Sequence, residues 1–373
     1  MVAGRFKSLL VAGFSVFFLI FSGVVKAQEK EAEKPAGKTV VFNANEVIFG
    51  HVLDAYEFHF FSYKGSNGKV HEVSIPLPVI LYSPRRGWDV FMSSRFEHGE
   101  SDYRGYKAAG NKIIAVNEAG TPDPSVKFYD ISLTRNVVQM MLSLALLVFL
   151  MIQIAGKYKT GVGMHSAPTG FQNAIEPVIT FVRDEVAIPN LGKKSSKYLP
   201  YLLTVFFFIL INNIFGLVPG LANVSGNIAF TAVLGIISFI VITVSGNKHY
   251  WSHIFNPPVP AGINVLMVVV EVIGIFTKPF ALIIRLFANM LAGHIIIICL
   301  VSLIFIFGGI SRGVGWGFSP VSIAFSVFIY LIEVLVIFIQ AFIFTNLTAV
   351  FIGQAIEDPH NHAEDEHNDP VIL

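Results

Sequence analysis

Lys278-Pro279-Phe280-Ala281-Leu282-Ile283-Ile284-Arg285-Leu286-Phe287-Ala288-Asn289-Met290-Leu291-Ala292-Gly293-His294 sets one guanidinium inside an apolar run that continues through Ile295, Ile296, Ile297 and Ile298. A guanidinium stays protonated at any working pH. At the centre of a bilayer it costs roughly 2.5–3.5 kcal/mol on insertion scales, so Arg285 requires a carboxylate or water. Glu271, Asn289, His294, Glu333 and Gln340 stand in the flanking apolar sequence, more polar groups than a passive anchor needs. With about 100° per residue, Arg285 and Asn289 lie about 40° apart on one helix face, and Glu271 and Lys278 fall within about 40° of it. His294 points about 180° away, toward a different neighbour. Glu333 and Gln340, two turns apart, share a face of the next helix. Glu333 and His294 lie at comparable distances from the turn joining the two helices, so an antiparallel pair would let them approach.

Working outward, the whole chain is of one kind. Of 373 residues, 54% are hydrophobic and 14% charged, against roughly 25% charged in a soluble domain, and the mean hydropathy is +0.65. This composition predicts an all-α multi-pass membrane protein with a small, partly β extracytoplasmic N-terminal region. A net charge of +1 offers no footprint for nucleic acid. Cys299 is the one cysteine and excludes a disulfide within the chain.

From the N-terminus, Arg5 and Lys7 precede an apolar run over 9–24, and small residues lead to Ala27. Residues 1–27 therefore read as a secretory signal cut after Ala27. Residues 28–130 follow, with β-branched or alternating runs at 73–81, 90–96 and 112–117, broken by Gly and Pro. His51, His59, His71 and His98 lie there without metal-ligand spacing, so no metal is expected. The first span is expected at 132–154, followed by Lys157, Lys159, Arg183, Lys193, Lys194 and Lys197, which the positive-inside rule puts in the cytoplasm. Between them, Phe171, Ala174, Ile175, Val178 and Val182 recur at helical spacing opposite Gln172, Asn173, Glu176 and Arg183, as in an interfacial helix. The glycines of 156–163 lack the Gly-Lys-Ser/Thr ending of a phosphate-binding loop.

Further spans are expected at 198–218 and 227–245, with Lys248, His249 and His253 again cytoplasmic. Asn212 and Asn213 sit in the former, where buried amides commonly serve as helix-packing glue. Residues 262–308 are apolar over about 70 Å of helix, more than twice the roughly 30 Å hydrocarbon thickness. No Gly, Asn or Asp near Lys278-Pro279 could make a turn, so one long inclined helix is expected. A glycine-rich turn over 308–317 should lead to a last long helix over 320–355, giving about five spans in all. Residues 357–373 are acidic, hold His360, His362 and His367, and read as a solvated cytoplasmic tail.

Arg285-Leu286-Phe287-Ala288-Asn289-Met290-Leu291-Ala292-Gly293-His294, preceded by Lys278-Pro279 and followed by Glu333 and Gln340, strongly resembles the a subunit of F-type ATP synthase. The resemblance covers 131–356 and includes Phe171-Gln172-Asn173-Ala174-Ile175-Glu176 and the segment from Asn213 to Pro219. It implies a non-catalytic stator in the bacterial inner membrane, partnered by the c-ring and the b-subunit stalk, that needs no cofactor and carries protons. Arg285 would hold the c-ring carboxylate. Asn289, His294, Glu333, Gln340 and Asn213 would line the outer half-channel, and Glu271 the cytoplasmic one. Gly216 stands where some relatives carry an acid. Whether H⁺ or Na⁺ is carried lies with the ring. Two rivals are a secondary transporter that uses Arg285 to hold an anionic substrate, for which internal repeats are lacking, and a structural anchor in which Arg285 pairs permanently with Glu271 or Glu333.

Overall fold

The computed structural model describes residues 54–64, 70–99, 101–110, 112–117, 120–159, 170–218, 220–257, 259 and 261–357. The expected signal sequence and nearly all of the acidic tail lie outside these residues. Three small antiparallel sheets come first. Strands β1 (Glu57–Lys64) and β2 (Val70–Pro76) pair together; β3 (Pro78–Ser83) lies between β4 (Gly87–Met92) and β8 (Tyr129–Asp130); β6 (Tyr106–Ala109) lies between β5 (Asp102–Tyr103) and β7 (Lys112–Ala115). Alternation does the sorting: Val79, Leu81 and Phe91 point into a core with Phe96, Tyr106, Ile113 and Ala115. The expected run at 73–81 is two strands, because the chain breaks at Leu77, whose amide donates to the Tyr56 carbonyl at 3.1 Å.

The sheets are tied directly to the first long helix. Asp54 Oδ1 accepts from the Asn136 amide at 3.1 Å, and the Ala55 carbonyl accepts from the Arg135 amide at 2.8 Å. These bonds satisfy donors that a helix N-terminus leaves orphaned. Helix α1 (Arg135–Lys159) then runs away from the sheets. Helix α2 (Phe171–Phe181) follows, and a π-helical turn (Val182–Ala187) and two short helical turns join it to α3 (Ser195–Leu217). Helix α4 (Ile228–Ser245) returns, capped by the Asn227 side chain, and α5 (Lys248–Phe255) crosses its far end. Two very long helices close the chain, α6 (Ala261–Ile310) and α7 (Arg312–Ile356). Among the described residues five stretches are long and apolar enough to cross a membrane: Arg135–Lys159, Phe171–Leu217, Ile228–Ser245, Ile263–Ile310 and Arg312–Ile356. The chain is an all-α multi-pass membrane protein with a small N-terminal β region.

Helix α6 is continuous for 50 residues through Pro279, about 75 Å, so the single-helix expectation holds. Three expectations change. First, the turn between α6 and α7 is not glycine-rich: Ser311 alone makes it, accepting from the Val314 amide at 3.2 Å. Gly315 instead serves close packing inside the helices, since a Cβ on it would sit 2.7 Å from the Gly308 Cα, whereas a Cβ on Gly308, Gly309, Gly313 or Gly317 would meet nothing within 4 Å. Second, no loop separates the interfacial helix from the second span: the π turn and two short helical turns link them, with the helical path interrupted at Gly192, whose φ is +52°. Third, the polar face of α2 is not left open, since Gln172 on it is buried. It donates to Glu176 at 3.4 Å beside the Tyr158 hydroxyl, so the polar side of α2 is turned onto α1.

Candidate functional site

The antiparallel register of α6 and α7 can be read from polar contacts along their length. Ser322 Oγ donates to the Leu300 carbonyl. Glu333 lies against Gly293, where an added Cβ would meet its Oε1 at 3.0 Å. Asn289 Nδ2 donates to Gln340 Oε1 at 3.0 Å, and Lys278 Nζ donates to Gln354 Oε1 at 3.0 Å while lying 5.0 Å from the Phe351 ring centre. Glycine at 293 is therefore what lets a carboxylate enter the seam. Glu333 is 5% exposed and Gln340 2%. The face of α6 that sequence periodicity assigned to Lys278, Arg285 and Asn289 is the edge next to α7.

Arg285 sits on that edge and is partly exposed. Among the described residues no carboxylate forms an ion pair with it. Its depth follows from α4, whose 18 residues span about 27 Å, close to the hydrocarbon thickness. Ile283 packs on Gly235 of α4, where a Cβ would come within 2.3 Å of Ile283 Cγ1. Gly235 lies about 10 Å along that helix, and Arg285 is only about 3 Å beyond Ile283. The charge is therefore inside the slab that α4 spans. Beside it, Ala281, Ala288 and Ala292 are exposed on the same side of α6, leaving a low surface around the guanidinium.

Toward the β region the surroundings are a buried lattice of amides and hydroxyls. Gln139 clamps the Ala222 backbone, accepting from its amide at 2.7 Å and donating to its carbonyl at 2.5 Å. Asn223 Nδ2 donates to the Met290 carbonyl at 3.0 Å, and the missing Cβ of Gly226 gives its side chain room. Ser143 Oγ lies 3.0 Å from Asn212 Oδ1, and Ser225 Oγ donates to Asn213 Oδ1 at 2.5 Å. Two of the buried atoms in this half that make no hydrogen bond within the protein are Asn213 Nδ2 and Glu333 Oε1, which costs about 1–3 kcal/mol each. Glu333 is brought to Gly293, one residue before His294.

At the other end Glu271 lies on an open cavity of about 560 Å³ with His249, His253, Lys278 and Gln354. It is about 21 Å along α6 from Arg285, whereas Gly293 is about 12 Å away in the opposite direction. The sequence-derived residues thus fall into two groups separated by Arg285. Asn289 and Gln340 are bonded to each other, Glu333 is set in the same seam, Asn213 stands in the adjoining lattice, and Glu271 is remote from all four. Sequence reasoning missed Gln139, Ser143, Asn223 and Ser225. Gln139 and Ser143, one turn apart in an apolar helix, carried a signal; Asn223 and Ser225 sit in a loop and carried none.

Residues 137–353, more than half of the chain, match the family described as ATP synthase A chain. The chain belongs to that family. Proteins named ATP synthase subunit a share 44% identity with it in Chloroherpeton thalassium over 252 residues, 65% of this chain and 74% of that one. The corresponding protein of Chlorobium phaeobacteroides shares 40% over 289 residues, 73% of this chain and 81% of its own. That of Myxococcus xanthus shares 40% over 247 residues, 65% and 78%. Residues 47–131 match a second family, described as a domain of unknown function. In this A-chain family member the β region therefore carries a family match of its own, with bounds close to those of the three sheets.

Proposed function

We propose that the chain is the stator subunit a of a bacterial F-type ATP synthase, carrying protons through two half-channels to and from a rotating c-ring and so coupling ion flow to ATP synthesis. In this reading it makes no bond to ATP, sits in the inner membrane beside the c-ring and the b-subunit stalk, and holds its β region outside with α5 in the cytoplasm. The lysines at the α5 end support that orientation. Arg285 holds the carboxylate of a passing c subunit and releases it as the ring turns. Its fixed charge keeps a hydrated proton from crossing directly between the half-channels. Asn213, Asn289, His294, Glu333 and Gln340 line the outer path, where the two unpaired buried atoms suit a chain of waters or a moving proton. Glu271 belongs to the cytoplasmic path and its open cavity.

The observation that carries this reading is a guanidinium within the span with no counterion of its own among the described residues, standing between two polar groups that do not meet. A permanent ion pair with Glu271 or Glu333, as an anchor would need, has no support. The test is ATP-driven acidification of inverted membrane vesicles with Arg285→Ala and Arg285→Lys, alongside ATP hydrolysis by the assembled complex. Pumping should be abolished in Arg285→Ala while the complex still assembles; normal pumping would overturn the mechanism.

A further inference from the structure

The open cavity at the α5 end contains two imidazoles that the half-channel scheme leaves unused. His249 and His253 are one turn apart on α5, roughly 5–6 Å between Cβ atoms, and both are exposed as well as lining the cavity. Their position is fixed by neighbours other than themselves. The Asn247 amide and side chain donate to the Ala355 and Ile356 carbonyls, both at 2.9 Å, and Lys194 Nζ donates to the Ile356 carbonyl at 3.0 Å. These bonds cap the end of α7 and hold the start of α5 against it, and Ile254 supplies the buried contact of α5. The imidazoles are thus presented to the cavity without being needed for docking.

Besides Ile254 and Ile275, the groups that line the cavity with them are polar. From α6 come the Glu271 carboxylate and the Lys278 ammonium; from α7 and the residue after it, Gln354 and Glu357; from α5 itself, Tyr250. Burial, reinforced by the Glu271 carboxylate, pushes the Tyr250 phenol up, so it stays a neutral donor. Lys278 is engaged by Gln354 and Phe351 and keeps a positive charge on the inner wall, which disfavours entry of a hydrated cation. A proton handed from group to group avoids that obstacle.

Resting on the half-channel reading, we infer that His249 and His253 form a proton-collecting relay between bulk water and Glu271. A ring nitrogen takes a proton from hydronium, leaving water; the imidazolium then passes a proton to the Glu271 carboxylate and returns to neutral. In the synthesis direction the same transfers run backward. Histidine suits this work because its charge changes near neutral pH.

The experiment uses the assembled complex in inverted vesicles with His249→Ala/His253→Ala, measuring the initial rate of ATP-driven acidification between pH 6 and pH 8.5. The ratio of alkaline to acid rate should fall about threefold relative to the native complex, because collection limits the rate where protons are scarce. Imidazole added to the outer buffer should restore that ratio. An unchanged pH profile overturns the relay, as does an equal loss at every pH that imidazole does not rescue. Arg285→Ala in parallel separates the two ideas: pumping that survives it removes the half-channel reading itself, whatever the histidines do.

Discussion

The two carboxylates of the proposed pathway stand in opposite surroundings. Glu333 is in a narrow seam, with Gly293 beneath its head and one oxygen unbonded. Glu271 is on a wide cavity shared with two histidines, a lysine and a second glutamate. A carboxylate in the first setting is enclosed, and its charge is expensive unless a proton or water meets it. One in the second setting has several polar neighbours around an open cavity. On the half-channel reading, this asymmetry means that the two proposed paths need not be equally sensitive to the loss of their acid, although in sequence the two glutamates look alike.

That contrast can be broken most sharply at Gly293. Gly293→Val would drive Glu333 out of the seam, so ATP-driven pumping in inverted vesicles should drop by at least about tenfold while the c-ring still copurifies. Retained pumping would show that Glu333 does not act from this position. Next in size is the direct comparison of acids. Glu333→Gln should lower pumping about tenfold and Glu271→Gln only about two- to threefold, since the imidazoles and Glu357 share the second cavity. Equal losses would mean the cavity offers no alternative path. The smallest effect concerns the seam itself: Asn289→Leu removes the bond to Gln340 and leaves a buried amide oxygen unpaired, costing about 1–3 kcal/mol. It should appear as a lower unfolding temperature of the purified complex, and an unchanged one would show that the Gln340 oxygen finds another donor.

Much of this was legible beforehand. Residues 227–245 were legible as a span because the apolar run is about as long as a bilayer requires and is followed by Lys248, His249 and His253. The long α6 was legible because nothing near Pro279 could turn the chain. Other features were not. The glycines at 308, 313, 315 and 317 read as a turn, since a local pattern could not show that Gly315 serves close approach between the helices. Periodicity grouped Gln172 with Glu176, as found, but gives a helix face and not the neighbour that face meets.

By itself the sequence determined the spans, the intramembrane charge and the cast of polar residues, because those depend on hydrophobic length, on the cost of a charge in hydrocarbon and on helical periodicity, all of which are local. Only the tertiary structure decided which polar groups work together. Asn289 meets Gln340 across 51 positions of sequence, Glu333 fits over Gly293, Ala222 is held by Gln139, and Glu271 is left on an open cavity with His249 and His253. Those pairings depend on how two helices slide past each other, a relation set by side-chain volumes along the whole seam rather than by any one segment.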